Sequence, residues 1–293
     1  MSAPTGVAFF PVTVFDRRGE FDEARYKAHI QSTLQQAPFS CVIPLGSVGE
    51  FAYLSTDERK DVVEATIDAV DGSVPVVAGA STIATREAVE LTNHASRTGA
   101  DGVLVTPQSY FPPTERTVLN YFTQIVDQTD IPVWVYNNPS TTNIDMSCSL
   151  LSRLFALDSV VCVKSGSGDM RSFRNLRRTV GDTVDLYAAP PNMFEKLALG
   201  ADGWSGPVAT IDPDGAIELF RMLQNDGLTA ARKLFEQWQP LLNYFDDYPY
   251  VATMKAILNL QGRDVGRPRP PVQPLGDVVR EDLRAVMGDL NVL

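Results

Sequence analysis

Cys41-Val42-Ile43-Pro44-Leu45, then Ser55-Thr56-Asp57-Glu58 opening a run with Val62, Val63, Thr66, Ile67 and Val70 at helical spacing, then Val74-Pro75-Val76-Val77-Ala78: this stretch reads as strand, helix, strand. Ser55 with Glu58 three positions on has the form of a capping box, and the acidic first turn suits the unpaired N–H groups there. The two apolar runs show no alternation, as expected of strands buried on both faces of a parallel sheet. The unit repeats in both directions. Further runs at 7–12, 102–106, 132–137, 160–164, 184–188 and 203–208 bring the strands to eight, and 87–97 and 115–126 repeat the helical pattern. Eight βα units in series predict an α/β fold of the (β/α)8 TIM-barrel type. A doubly wound open sheet would carry Gly-x-Gly-x-x-Gly after its first strand, where this chain has Phe15-Asp16-Arg17-Arg18-Gly19.

Beyond the eighth unit, 228–244, 251–260 and 276–290 read as helices, interrupted by Arg267-Pro268-Arg269-Pro270-Pro271. The expected organisation is a barrel over 1–226 and a C-terminal helical extension, 227–293, packed on its outside. At 293 residues with 44% apolar content, the chain can bury a large core. A formal charge of −11 argues against nucleic acid and anionic membrane as partners, so an anionic substrate must be held by local donors. Three cysteines (Cys41, Cys148, Cys162) in apolar settings suit a reducing cytoplasm better than a disulfide framework. No signal peptide is read in Met1–Gly6, and no run is long enough to span a membrane. With only His29 and His94, both in helical patterns, a histidine-rich metal centre is not expected.

Chemistry in a barrel collects at the C-terminal strand ends and the loops beyond them. There the sixth run ends Val163-Lys164-Ser165-Gly166, the fifth ends Tyr136-Asn137-Asn138-Pro139, and the second leads into Gly46-Ser47-Val48-Gly49-Glu50. Adjacent strands bring Lys164 and Tyr136 to one rim. A buried lysine is pushed toward the neutral amine, the form that attacks a ketone to give an iminium. A tyrosine hydroxyl beside it can carry protons. The Gly46-Ser47-Val48 turn offers N–H groups and a hydroxyl to a carboxylate. Each residue also has a plainer reading. A strand-end lysine is more often solvated, Tyr136 alone reads as a packing aromatic, and Glu50 reads as a cap on the next helix. Cys162 reads as an inert buried thiol, Trp204 and Tyr110 as aromatics of the pocket mouth or an interface, and His94 as a helix-surface residue.

Taken together these segments resemble the dihydrodipicolinate synthase/N-acetylneuraminate lyase family. The match runs in order through Pro11-Val12-Thr13 with Phe15-Asp16, Gly46-Ser47-Val48-Gly49-Glu50 with Leu54 and Glu58, Tyr136-Asn137-Asn138-Pro139, Val163-Lys164, and Gly200-Ala201-Asp202-Gly203-Trp204-Ser205-Gly206. It covers about residues 7–271. The resemblance implies a class I lyase with Lys164 as the Schiff-base lysine and Tyr136 as the proton relay. Gly46, Ser47, Val48, Ser205 and Tyr110 are then substrate-binding candidates, Val48 keeping only its backbone donor where the family often has a second hydroxyl. It also implies a covalent lysine imine with pyruvate or another small 2-oxo acid, no metal or organic cofactor, and a homo-oligomer, tetramer or dimer.

The departures bear on the substrate. Standard dihydrodipicolinate synthases follow the tyrosine motif with Pro-Ser-Arg-Thr-Gly, where this chain has Pro139-Ser140-Thr141-Thr142-Asn143 and so lacks the carboxylate-gripping arginine. Their interface tyrosine matches Ser109, with Tyr110 one place off. Phe10-Pro11-Val12-Thr13, Gly49-Glu50-Phe51 and Lys164-Ser165-Gly166-Ser167-Gly168-Asp169 are similar to the dehydro-deoxyglucarate dehydratase branch, which has Tyr-Asn-Arg-Asp in place of Tyr136-Asn137-Asn138-Pro139. The leading expectation is an aldolase or dehydratase acting on a 2-oxo (sugar) acid. The alternatives are a dihydrodipicolinate synthase with a modified relay and a non-catalytic carboxylate-binding barrel.

Overall fold

A computed structural model describes residues 3–181, 183–225 and 227–292. The expected division at 226–227 touches residue 226, which lies outside the described residues. Eight strands carry the fold: β1 (Gly6–Phe9), β2 (Cys41–Val42), β3 (Val77–Gly79), β4 (Gly102–Val105), β5 (Val133–Asn137), β6 (Val160–Ser165), β7 (Asp185–Ala188) and β8 (Gly203–Trp204). They pair in parallel in the order β2-β1-β8-β7-β6-β5-β4-β3. β2 and β3 meet at one bridge, Val42 with Val76, and the Val42 N–H donates to the Pro75 carbonyl and that of Gly79 to Pro44. These contacts close the ring into a TIM barrel. Pro44 and Pro75 have no N–H to offer, so the ladder is thin at this seam and both strands fall short of the apolar runs that announced them.

Helices Thr56–Val70 and Glu115–Val126 have the expected bounds. The capping box is present: the Glu58 N–H donates to Ser55 Oγ at 3.2 Å, and the Ser55 N–H to Glu58 Oε2 at 2.8 Å. The run at 203–208 is not one strand, because Pro207 occupies the first turn of a short helix, Pro207–Ile211. The run at 228–244 likewise divides into Leu228–Gln237 and Gln239–Asp247, with a proline opening the second helix. Cys148–Leu154, Met170–Val180, Met193–Ala198 and Pro213–Gln224 join the outer layer.

Alternation along the strands sorts the core into two shells. Phe9, Val103, Val105, Val133, Val135, Val163 and Leu186 face the helices. Ala8, Cys41, Ile43, Leu104, Trp134, Tyr136, Cys162 and Tyr187 face the lumen. Trp134 and Tyr187 plug the lumen with ring centroids 4.7 Å apart, and the Tyr187 hydroxyl donates to the Pro4 carbonyl at the strands' N-terminal end. Gly203 is what lets Tyr187 lie there, since a Cβ on it would meet the phenol ring. The C-terminal helices do more than cover an outer wall. Leu242 and Phe245 from Gln239–Asp247, and Tyr250 and Met254 from Tyr250–Leu260, reach the open end of the barrel. Among the described residues no helix is long and apolar enough to cross a membrane.

Candidate active site

Tyr136 and Lys164 are Cα partners in the β5–β6 ladder, so their side chains enter the lumen side by side at the strands' C-terminal ends. The Lys164 Nζ lies 3.6 Å from the Tyr136 ring centroid and 4.8 Å from that of Phe10. Lys164 is 5% exposed, and no carboxylate lies within salt-bridge distance among the described residues. Burial, and after it the charge of Lys196, hold its amine down to about 7. A large fraction is therefore the free base at neutral pH. Burial pushes the Tyr136 phenol up, with the Ser47 hydroxyl pulling the other way, so Tyr136 stays a protonated donor. The Cys162 thiol, two residues below Lys164, is pushed well up by burial and is inert.

Above this pair is a cavity of about 670 Å³. Ser47 and Val48 line it from a 3-10 turn, Ser47–Gly49, whose first N–H groups have no partner within the turn. Gly46 sits behind the wall, not in it. A Cβ there would fall 2.5 Å from the Phe10 ring, so glycine lets the turn pack against the aromatic beside Lys164. Ser205, just past β8, also lines it, its N–H donating to the Ala188 carbonyl at 3.0 Å. Lys164, Tyr136, Ser47, Val48 and Ser205 thus share one cavity. Tyr110 does not join them within the chain. It is 85% exposed on the loop after β4, edge-on to Phe111 with centroids 5.0 Å apart. Trp204 is fully buried between strands and helices, away from the mouth.

Glu50 does not cap the next helix, a role that Ser55 fills. It is buried in a left-handed turn (φ 56°) and forms a 2.6 Å ion pair with Lys255 of the helix Tyr250–Leu260. Its other oxygen accepts from the Arg269 N–H at 2.7 Å. The pair ties the Ser47–Gly49 turn to the C-terminal helices. Two further residues went unread in the sequence. Tyr250 brings a second phenol toward Tyr136, its own pushed up by burial and then by Tyr136. Lys196 lies beneath the cavity wall. Thr141, at the position of the missing arginine, lines the cavity. No local pattern marks Tyr250 or Lys196, whose partners stand on distant elements.

Lys164 is the sole cation among the described residues lining the cavity. The remaining wall offers hydroxyls and amides from Asn138, Ser140, Thr141 and Gln239, and the carboxylates of Glu195 and Asp246. Among the described residues no group of three or more His, Cys, Asp or Glu side chains could hold a metal ion.

Fold and site together define a barrel enzyme of the lyase class. A model of the dihydrodipicolinate synthetase family matches residues 3–289. The chain is 32% identical over 286 residues to a 4-hydroxy-tetrahydrodipicolinate synthase of Pelobacter propionicus, covering 96% of this chain and 97% of that one. It is 29% identical over 281 residues to the enzyme of that name from Oceanobacillus iheyensis, covering 96% and 95%. Among solved structures it is similar to YagE, a prophage protein of Escherichia coli K12 belonging to the dihydrodipicolinic acid synthase family and crystallised with pyruvate. That match has a TM-score of 0.93 and 26% identity, covering 99% of each chain. The chain belongs to the dihydrodipicolinate synthetase family.

Proposed function

We propose that the protein is a Schiff-base lyase, an aldolase or dehydratase, acting on a 2-oxo acid with an uncharged, hydroxylated tail through an iminium on Lys164. The observation that carries this reading is the buried Lys164 amine over the Tyr136 ring at the floor of the cavity. The Nζ lone pair attacks the C2 carbonyl, and Tyr136 protonates the oxygen. Loss of water gives the iminium. The substrate carboxylate takes the Ser47 and Val48 N–H groups and the Ser47 hydroxyl, with Ser205 in the same cavity. The iminium then draws in the electron pair of the neighbouring bond. Cleavage at C3–C4, with the Tyr136 oxygen taking the C4 hydroxyl proton, yields the enamine of pyruvate and an aldehyde; passage of a C3 proton through that oxygen to the departing hydroxyl yields water and a dehydrated acid. The cavity's size supports a substrate longer than pyruvate, and its amides and hydroxyls suit hydroxyl groups.

The names of the relatives favour a second reading, 4-hydroxy-tetrahydrodipicolinate synthesis with a modified relay. With Thr141 in place of an arginine, no cation besides Lys164 lines the cavity among the described residues to meet the carboxylate of a second substrate. Coupled turnover with pyruvate and aspartate semialdehyde decides between the two. The account expects little or none, and release of pyruvate or water from a panel of 2-oxo sugar acids.

Two predictions follow from the pair itself. Tyr136→Phe should lower kcat by roughly 10²–10⁴-fold, the usual weight of a positioned proton carrier, while borohydride still traps the imine slowly. Full turnover would remove Tyr136 from the relay. Because attack needs the neutral amine, the trapping rate should rise about tenfold per pH unit below the Lys164 value of about 7 and level off above it. A flat profile from pH 5 to 9 would contradict the assignment.

The exposed Tyr110–Phe111 pair supports assembly into a homo-oligomer, tetramer or dimer, that covers it. Sedimentation of the wild type and of Tyr110→Ser with Phe111→Ser tests this. Three free thiols fit a reducing compartment such as the cytoplasm.

A further inference from the structure

Three lysines among the described residues are almost wholly buried, and two have partners or roles above. The third, Lys196, is fully buried in the helix Met193–Ala198, where an apolar side chain would pack without desolvating a charge. Its Nζ donates to three backbone carbonyls: Ser165 at 3.0 Å, Ala189 at 2.9 Å and Pro191 at 2.7 Å. All three ammonium protons are thereby satisfied. No carboxylate lies within salt-bridge distance of it among the described residues, so its charge is not neutralised. Ser165 follows Lys164 on β6, and Ala189 and Pro191 bracket Pro190 in the cavity wall. One ammonium therefore ties the exit of β6 to the loop after β7.

We propose that Lys196 is a positioning residue for the lyase reaction, an ammonium anchored by three carbonyls, one of them on Ser165 next to Lys164, that sets a fixed charge near the attacking amine. The proposal rests on the imine reading above. The Lys164 amine is lowered first by burial and next by Lys196. Lys196 itself, lowered to about 8 by burial against an opposing pull from Glu195, is still largely charged where Lys164 titrates. Glu195 and Asp246 line the same cavity, and neither lies within salt-bridge distance of Lys164 or Lys196. Cys162 on its own strand is a protonated thiol, Tyr136 on β5 and Tyr187 on β7 are neutral phenols, and Tyr250 faces Tyr136. The same charge favours bond cleavage, because the cationic iminium becomes a neutral enamine in that step and the repulsion is relieved.

The test is the pH dependence of pyruvate–borohydride trapping, pH 5 to 10, in wild type, Lys196→Gln and Lys196→Arg. Removing the charge should move the acidic limb of Lys196→Gln up by about one unit, so that trapping is about tenfold slower at pH 6 and nearly unchanged at pH 9–10. Lys196→Arg, which keeps the charge, should hold the wild-type limb. A merely structural role would lower the rate at every pH equally. A Lys196→Gln limb that overlays the wild type, or an equal shift in Lys196→Arg, would overturn the proposal. Should Lys196→Gln fail to fold, Lys196→Met replaces it: it removes the charge and leaves an apolar chain to pack, so the limb must again move up, and an unmoved limb overturns the proposal equally. Absence of trapping in the wild type would instead refute the imine on which the proposal rests.

Discussion

Lys164→Ala should lose turnover by roughly 10⁴-fold or more and all borohydride trapping, while the protein keeps its fold. No other amine can take over. Lys196 has its three protons on carbonyls beneath the wall, and Lys255 is paired with Glu50. Stability should not suffer, because an unpaired buried amine is a cost to the native state. The expected thermal midpoint is equal to or above wild type, with unchanged far-UV circular dichroism. Steady-state kinetics over the panel of 2-oxo acids, run beside a thermal melt, separates the outcomes. Retained turnover in a folded variant would place the chemistry elsewhere.

Lys255→Met should have the largest effect on stability, about 3–5 kcal/mol, because it leaves the Glu50 carboxylate buried without its cation. Both side chains are essentially inaccessible, and their 2.6 Å contact spans the chain from the Ser47–Gly49 turn to the helix Tyr250–Leu260. The Lys255 Nζ also donates to the Arg267 carbonyl at 3.0 Å and lies 4.3 Å from the Phe15 ring centroid, so its loss loosens the Pro-rich connector as well. The double variant Glu50→Gln with Lys255→Met should recover part of the loss by removing the orphaned charge. Denaturant melts of the two single variants and the double close the cycle. A single variant within 1 kcal/mol of wild type would show that the ion pair does not hold the rim.

The barrel was legible because its signals are local. Cap chemistry at Ser55 and unbroken apolar runs depend on neighbours in sequence, and both the capped helix and the ring of strands are present. The adjacency of the fifth and sixth strands was likewise enough to bring Tyr136 and Lys164 to one rim, where they are Cα partners beyond a register shift at Val133 and Trp134. Strand ends were less legible, since Pro44, Pro75 and Pro207 stop ladders that apolar runs suggest should continue. The rim's supports were not legible at all. Glu50 and Lys255 lie some two hundred positions apart, and Lys196 meets its carbonyls only after β6 and β7 pair. In sequence each looks like an ordinary charge on a loop or helix. Tyr110 stands one place from the family's interface tyrosine, and the loop after β4 carries it outward to solvent, away from the cavity of its own chain.

The most direct measurement is peptide mapping by mass spectrometry after reducing the native enzyme with borohydride in the presence of pyruvate. A single 1-carboxyethyl adduct on Lys164, lost when 2-oxo acid is omitted, is the predicted result. An unmodified Lys164, or an adduct on Lys196, Lys255 or a surface lysine in its place, would contradict the account.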